Sequence, residues 1–170
     1  MSRASVSAFL PASAGPQAAD LEVPSGRGFI ALLEAFRATG GTAPAEIVAR
    51  LLEEHQPGPA TSLAQRIYTG QVFGFEWRAS LWIPMFQFEA NDLALNAAAQ
   101  AVRAELPTVW SGWALAAWFA AANAQLEGHS PVDMLRSDLD AVLQVARAQE
   151  TADEFVPYHA RRAVGLGQHA

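Results

Sequence analysis

From Gly28 onward the apolar residues recur at helical spacing. Phe29, Ile30, Leu32, Leu33 and Phe36 lie on one face, and the run closes at Gly40-Gly41, where a helix C-cap is expected. A second helix is predicted after Thr42, with Pro44 in its first turn and Ile47, Val48, Leu51 and Leu52 on one side; His55 to Pro59 stops it. Ser62 followed by Gln65 forms a capping box and opens a short third helix through Ile67 and Tyr68 to Gly70.

Between Gln71 and Glu89 the period changes to that of a strand. Phe73, Phe75 and Trp77 alternate with Val72, Gly74 and Glu76. After an Arg78-Ala79-Ser80 turn, Trp82, Pro84, Phe86 and Phe88 alternate with Leu81, Ile83, Met85 and Gln87. The pattern predicts a hairpin whose second strand is an edge or is interrupted at Pro84, because proline cannot donate to a central ladder. A lone hairpin is marginal in water, so its aromatic face must lie on the helices.

From Asp92 the helical period returns. Asn91, Asp92 or Asn96 caps a helix that carries Leu95, Val102 and Leu106 and ends before Pro107. Ser111 caps the next, whose Trp113, Leu115, Trp118 and Phe119 project around much of the circumference, as in a central helix. Ser130-Pro131-Val132-Asp133 supplies an N-cap, a proline at the first helical position and an acid near the positive end. Ser137-Asp138-Leu139-Asp140 opens a last helix with Leu139, Val142, Leu143 and Ala146 on one stripe. The predicted fold is mainly α: a small helical bundle with one aromatic β-hairpin and a disordered N-terminal arm. The arm is expected over 1–27, rich in Ala, Ser, Pro and Gly; a helical module over 28–70; the hairpin with its helical domain over 71–150; and a flexible tail over 151–170.

Composition narrows the function. At 170 residues, with 51% hydrophobic and 16% charged positions, the chain has the size of one domain and enough apolar residues for a core. All eleven basic residues are Arg, against 17 acidic ones, for a net charge of −6, which is a poor start for holding DNA or an anionic membrane. The absence of Cys removes disulfides, thiolate catalysis and Cys-based zinc sites. No window resembles a membrane span, and a cytoplasmic location is expected. His159 and His169 lack zinc-binding spacing, and HExxH, Walker, GxGxxG and GxSxG motifs are missing, so no cofactor, no metal and no enzymatic activity are expected. His129 beside Asp133 has no nucleophile or second base in its motif and reads as a polar turn at a helix start. The aromatics Trp77, Trp82, Phe86, Phe88, Trp113, Trp118 and Phe119 read as core.

Three segments, in order, resemble the toxin-binding domain of the Xre/MbcA/ParS antitoxins. Trp82-Ile83-Pro84-Met85-Phe86-Gln87-Phe88-Glu89 is similar to that family's strand of aromatic, Pro and Phe-Gln-Phe-acidic type. Gly112 to Phe119 is similar to its Trp-x-x-Ala-x-Trp-aliphatic helix. Asn123-Ala124-Gln125-Leu126-Glu127-Gly128-His129-Ser130-Pro131-Val132-Asp133-Met134-Leu135 resembles its Asn-x-x-Leu-Gly-Gly-x-x-Pro-x-(Asp/Glu)-Leu-Leu signature. Glu127 stands where the family has the first Gly of a pair, His129 where a basic residue is common, and Ala122 where Pro often precedes the Asn. A Gly pair permits positive φ, and a Glu resists it.

The resemblance implies an antitoxin of a bacterial type II pair whose partner is a folded RES-domain toxin that consumes NAD. The antitoxin would bind the toxin through Asn123, Gln125, His129 and Asp133, with Tyr158, Arg161 and Arg162 of the tail near the active-site entrance. Arg suits such a role because it pairs bidentately with carboxylate or phosphate. Family members carry a helix-turn-helix for dimerisation and operator binding where this chain has 28–70. A homodimer is therefore an allowed state. Within Ala43 to Gly70, however, Arg50 and Arg66 stand against Glu46, Glu53 and Glu54, and Pro57-Gly58-Pro59 exceeds the usual tight turn, which favours a degenerate or repurposed module and weak DNA binding. The alternatives are a transcriptional regulator acting through that module, or a solitary protein-interaction module without a toxin.

Overall fold

The computed structural model describes residues 16–154, as eight α-helices and a three-stranded antiparallel sheet. The helices are α1 (Ala18–Leu21), α2 (Gly26–Phe36), α3 (Ala45–His55), α4 (Leu63–Tyr68), α5 (Ala97–Glu105), α6 (Gly112–Ala120), α7 (Pro131–Met134) and α8 (Leu139–Glu154). The strands are β1 (Thr42–Pro44), β2 (Phe75–Trp77) and β3 (Ser80–Pro84).

Side-chain caps start several of the helices. Ser25 Oγ accepts from Gly28 N at the start of α2, Ser62 Oγ from Gln65 N at α4, Asn96 Oδ1 from Ala99 N at α5, and Ser111 Oγ from Ala114 N at α6. Asn96, rather than Asn91 or Asp92, is thus the cap of α5, and Leu95 stays outside the helix in a bridge to Phe88. At α8 the cap is Asp138, whose Oδ1 accepts from Ala141 N.

The predicted hairpin is present and gains a third strand. Arg78 and Ala79 both have positive φ, as a two-residue turn requires to match strand twist, so Ser80 belongs to β3 opposite Trp77. A helix is expected to begin after Thr42 with Pro44 in its first turn, but Thr42–Pro44 is strand β1, paired antiparallel to β3 with Ala43 opposite Ile83 and Thr42 opposite Pro84. The order β1-β3-β2 makes β3 the central strand, which corrects the edge expectation. The interruption at Pro84 does occur. The strand ends there, Met85–Gln87 form a single 3₁₀ turn, and Pro84 is tolerated because it sits at the last rung, opposite Thr42.

The pleat divides the interior. Trp82, Phe75 and Trp77 join a large core with Leu32, Phe36, Phe86, Val102, Trp113, Phe119 and Val142. Leu81 and Ile83 turn to a smaller one with Val48, Leu52, Leu63, Val72 and Phe88. Helix α6 is central as predicted: Trp113, Leu115, Ala116, Phe119 and Ala120 are all buried. Phe119 contacts Phe86 and Phe73 at centroid separations of 4.8 and 5.8 Å. All seven aromatics read as core belong to it or pack against it, with Trp77, Trp82 and Trp118 half-buried.

Residues 16–27, assigned to the disordered arm by composition, carry α1 and the start of α2, and Leu21 anchors them. Leu21 is fully buried, and its carbonyl accepts the indole N–H of Trp113. Among the described residues no helix is long and apolar enough to cross a membrane.

Candidate partner-binding surface

The segment between α6 and α7 is a turn closed by its own hydrogen bonds. Asn123 N–H donates to the carbonyl of His129 at 3.0 Å, and its carbonyl accepts from Leu126 N and Gly128 N at 3.1 and 2.9 Å. Its side-chain Oδ1 accepts from Gln125 N at 2.8 Å, an Asx-type bond that sets the chain into a 3₁₀ turn over Ala124–Leu126. Leu126 is buried and anchors the turn to the core. Ala124, Gln125, Glu127, Gly128 and His129 are left exposed.

Glu127 takes φ 55° and Gly128 φ 84°. The resistance of Glu to the left-handed region is therefore overridden here. The bonds from Gly128 N to Asn123 and from His129 N to Leu126 define the turn, and they close with both residues left-handed. The backbone cost at Glu127 is about 1 kcal/mol.

Helix α7 follows directly. Ser130 is its first boundary residue, but its hydroxyl does not cap the backbone as predicted; it donates to Asp133 Oδ2 at 2.7 Å. This bond orients the exposed Asp133 carboxylate. Asp133 thus has Ser130 as its partner rather than His129, and the acid–base pairing considered for these two residues gains no support. Val132 and Leu135 are buried and hold the short helix down.

An open depression of about 590 Å³ lies beside α7. Phe86, Phe88, Leu93, Val132 and Leu135 give it apolar walls, and Glu89, Asp133 and Arg136 bring charge to it. Its shape depends on residues that the sequence does not mark as parts of a site. Asn96 Nδ2 donates to Glu89 Oε1 at 2.7 Å, and the Leu93 carbonyl and the Gln56 side chain accept from the buried Arg66 guanidinium. Burial holds Arg66 below the usual arginine pKa, and its counterparts are neutral oxygens and the Phe88 ring. No local motif signals this arrangement, because its parts come from four separated stretches of chain.

Of the expected contact residues, Asn123, Gln125 and His129 belong to one closed turn, and Asp133 lies in the next helix at the depression. Tyr158, Arg161 and Arg162 lie outside the described residues. Within Ala43 to Gly70, Arg66 is buried, so the exposed Arg50 stands against exposed Glu46, Glu53 and Glu54. Among the described residues no group of three or more His, Asp or Glu is arranged to hold a metal ion.

Comparison with protein-family models, with curated proteins and with solved structures finds no match. The likeness to the antitoxin domain rests on the three motifs alone.

Proposed function

We propose that this chain is a non-enzymatic, antitoxin-like binding protein of the Xre/MbcA/ParS type. It holds a folded RES-domain, NAD-consuming toxin and obstructs its active site, acting in the cytoplasm. The observation that supports this reading best is the turn at 123–129. It is closed by its own hydrogen bonds, anchored by Leu126, displays Gln125, Glu127 and His129 to solvent, and leads directly into α7, whose Val132, Asp133 and Leu135 line the depression. A hydrogen-bonded polar turn leading into a helix that walls an apolar recess suits recognition of a folded partner, since little ordering entropy is lost on binding. Catalysis would need a positioned acid–base pair, and Asp133 is engaged with Ser130 instead.

The acidic surface of α3 is why operator binding is not part of the proposal. The test is co-expression with the product of the adjacent reading frame. Co-purification of the two chains and rescue of growth from that product's toxicity are expected. A toxic neighbour that neither binds nor is neutralised would refute the reading.

A further inference from the structure

Four described residues other than glycine have positive φ: Arg78, Ala79, Leu93 and Glu127. Three have a local explanation. Arg78 and Ala79 form the two-residue hairpin turn, and the Arg78 guanidinium lies 5.6 Å from the centroid of the Trp77 ring. Leu93 packs its half-buried side chain against the smaller core. Glu127 has no such return: its side chain is exposed and makes no hydrogen bond or ion pair among the described residues. It also stands at the C-terminal end of a 3₁₀ turn, where a negative charge gains nothing from the peptide dipoles. The turn would close at least as well around Gly, as it does at Gly128. Strain that the surrounding fold does not repay points to a use outside the chain.

We propose that Glu127 is a specificity-determining contact residue. Its carboxylate, projected at the tip of the 123–129 turn between exposed Gln125 and His129, pairs with an arginine or lysine on the contact surface of the protein partner. The inference rests on the binding reading above and adds that the partner's matching surface is cationic at this point, where an arginine would offer a bidentate fit.

The test compares wild type, Glu127→Gly and Glu127→Gln. Each is assayed for thermal unfolding alone and for binding to the purified product of the adjacent reading frame by calorimetry. Glu127→Gly relieves the backbone and should raise the unfolding midpoint by about 2–4 °C. It should also weaken binding about tenfold. Glu127→Gln keeps the strained backbone, removes the charge and should weaken binding to a similar degree, with both deficits shrinking at high ionic strength. No binding by wild type would overturn the functional reading and this inference with it. Binding by wild type that both variants match, or that Glu127→Gln alone matches, would overturn the inference and leave the functional reading standing.

Discussion

Trp113 donates its indole Nε1–H to the carbonyl oxygen of Leu21 at 2.8 Å, across 92 positions of sequence. The bond is buried and fastens the segment ahead of α2 to the central helix. The same ring lies 3.1 Å from where a Cβ on Gly28 would stand, so α2 is seated against it without a side chain between them. Trp113→Phe keeps most of the aromatic packing but leaves the Leu21 carbonyl without its donor. A loss of about 2 kcal/mol in urea denaturation is expected. A loss near zero would mean that this hydrogen bond adds nothing to the hold of Leu21 on α6.

Gln87 substitutes for a stretch of ladder with its side chain. Its Oε1 accepts from Phe73 N at 2.9 Å, and its Nε2 donates to the carbonyls of Phe73 and Pro84 at 2.9 and 3.0 Å. The amide is buried, so Gln87→Leu strands a backbone N–H and two carbonyls away from water. We expect destabilisation of about 3 kcal/mol, read by chemical denaturation, because unsatisfied buried groups carry their full desolvation cost.

Among the described glycines, Gly112 has the tightest surroundings. A Cβ there would stand 1.7 Å from the carbonyl oxygen of Gly74, which leads into β2. Gly112→Ala must push α6 off the sheet, and a loss of about 3 kcal/mol or failure to fold is expected. Gly74→Ala meets side-chain atoms of Leu81 and Ile83 instead. Those atoms can shift, so its effect on the melting temperature should be the smaller of the two.

Arg66 is a buried cation that forms no ion pair with a carboxylate among the described residues. Its guanidinium reaches the Gln56 side chain and the Leu93 carbonyl and lies over Phe88. Arg66→Lys keeps the charge but not the planar fork, and should cost about 1–2 kcal/mol. Because the Leu93 turn borders the α7 depression, the variant should also show faster amide exchange over residues 89–95 than wild type.

Signals carried by neighbouring residues were legible in the sequence. The caps at Ser62 and Ser111 and the hairpin between Phe75 and Pro84 depend on contacts a few positions apart, and they are found where the spacing predicts. Strand β1 was not legible. Thr42-Ala43-Pro44 is too short to show an alternation, and its partner β3 lies some forty positions on. Leu21 was hidden for a similar reason: four helical residues among Pro, Gly and Ser look like an arm, and only packing on the distant α6, with α2, makes Leu21 part of the core. At the candidate surface the motif located Asn123 and Asp133. It did not disclose that Ser130 turns its hydroxyl to Asp133, nor that Glu127 accepts a left-handed backbone. Both depend on how the turn closes in three dimensions.

The central position of β3 bears on how the chain can be cut. A fragment starting at residue 71 would retain β2 and β3 and lose β1, uncovering the side of β3 that pairs with it along Trp82 to Pro84. Such a bare edge recruits strands from other molecules. Expressed alone, the 71–154 piece should therefore self-associate, the more so because it also loses Leu32, Phe36, Val48 and Leu52 from the two cores, and supplying residues 16–70 as a separate chain should suppress that aggregation by restoring both the rung partners and those side chains.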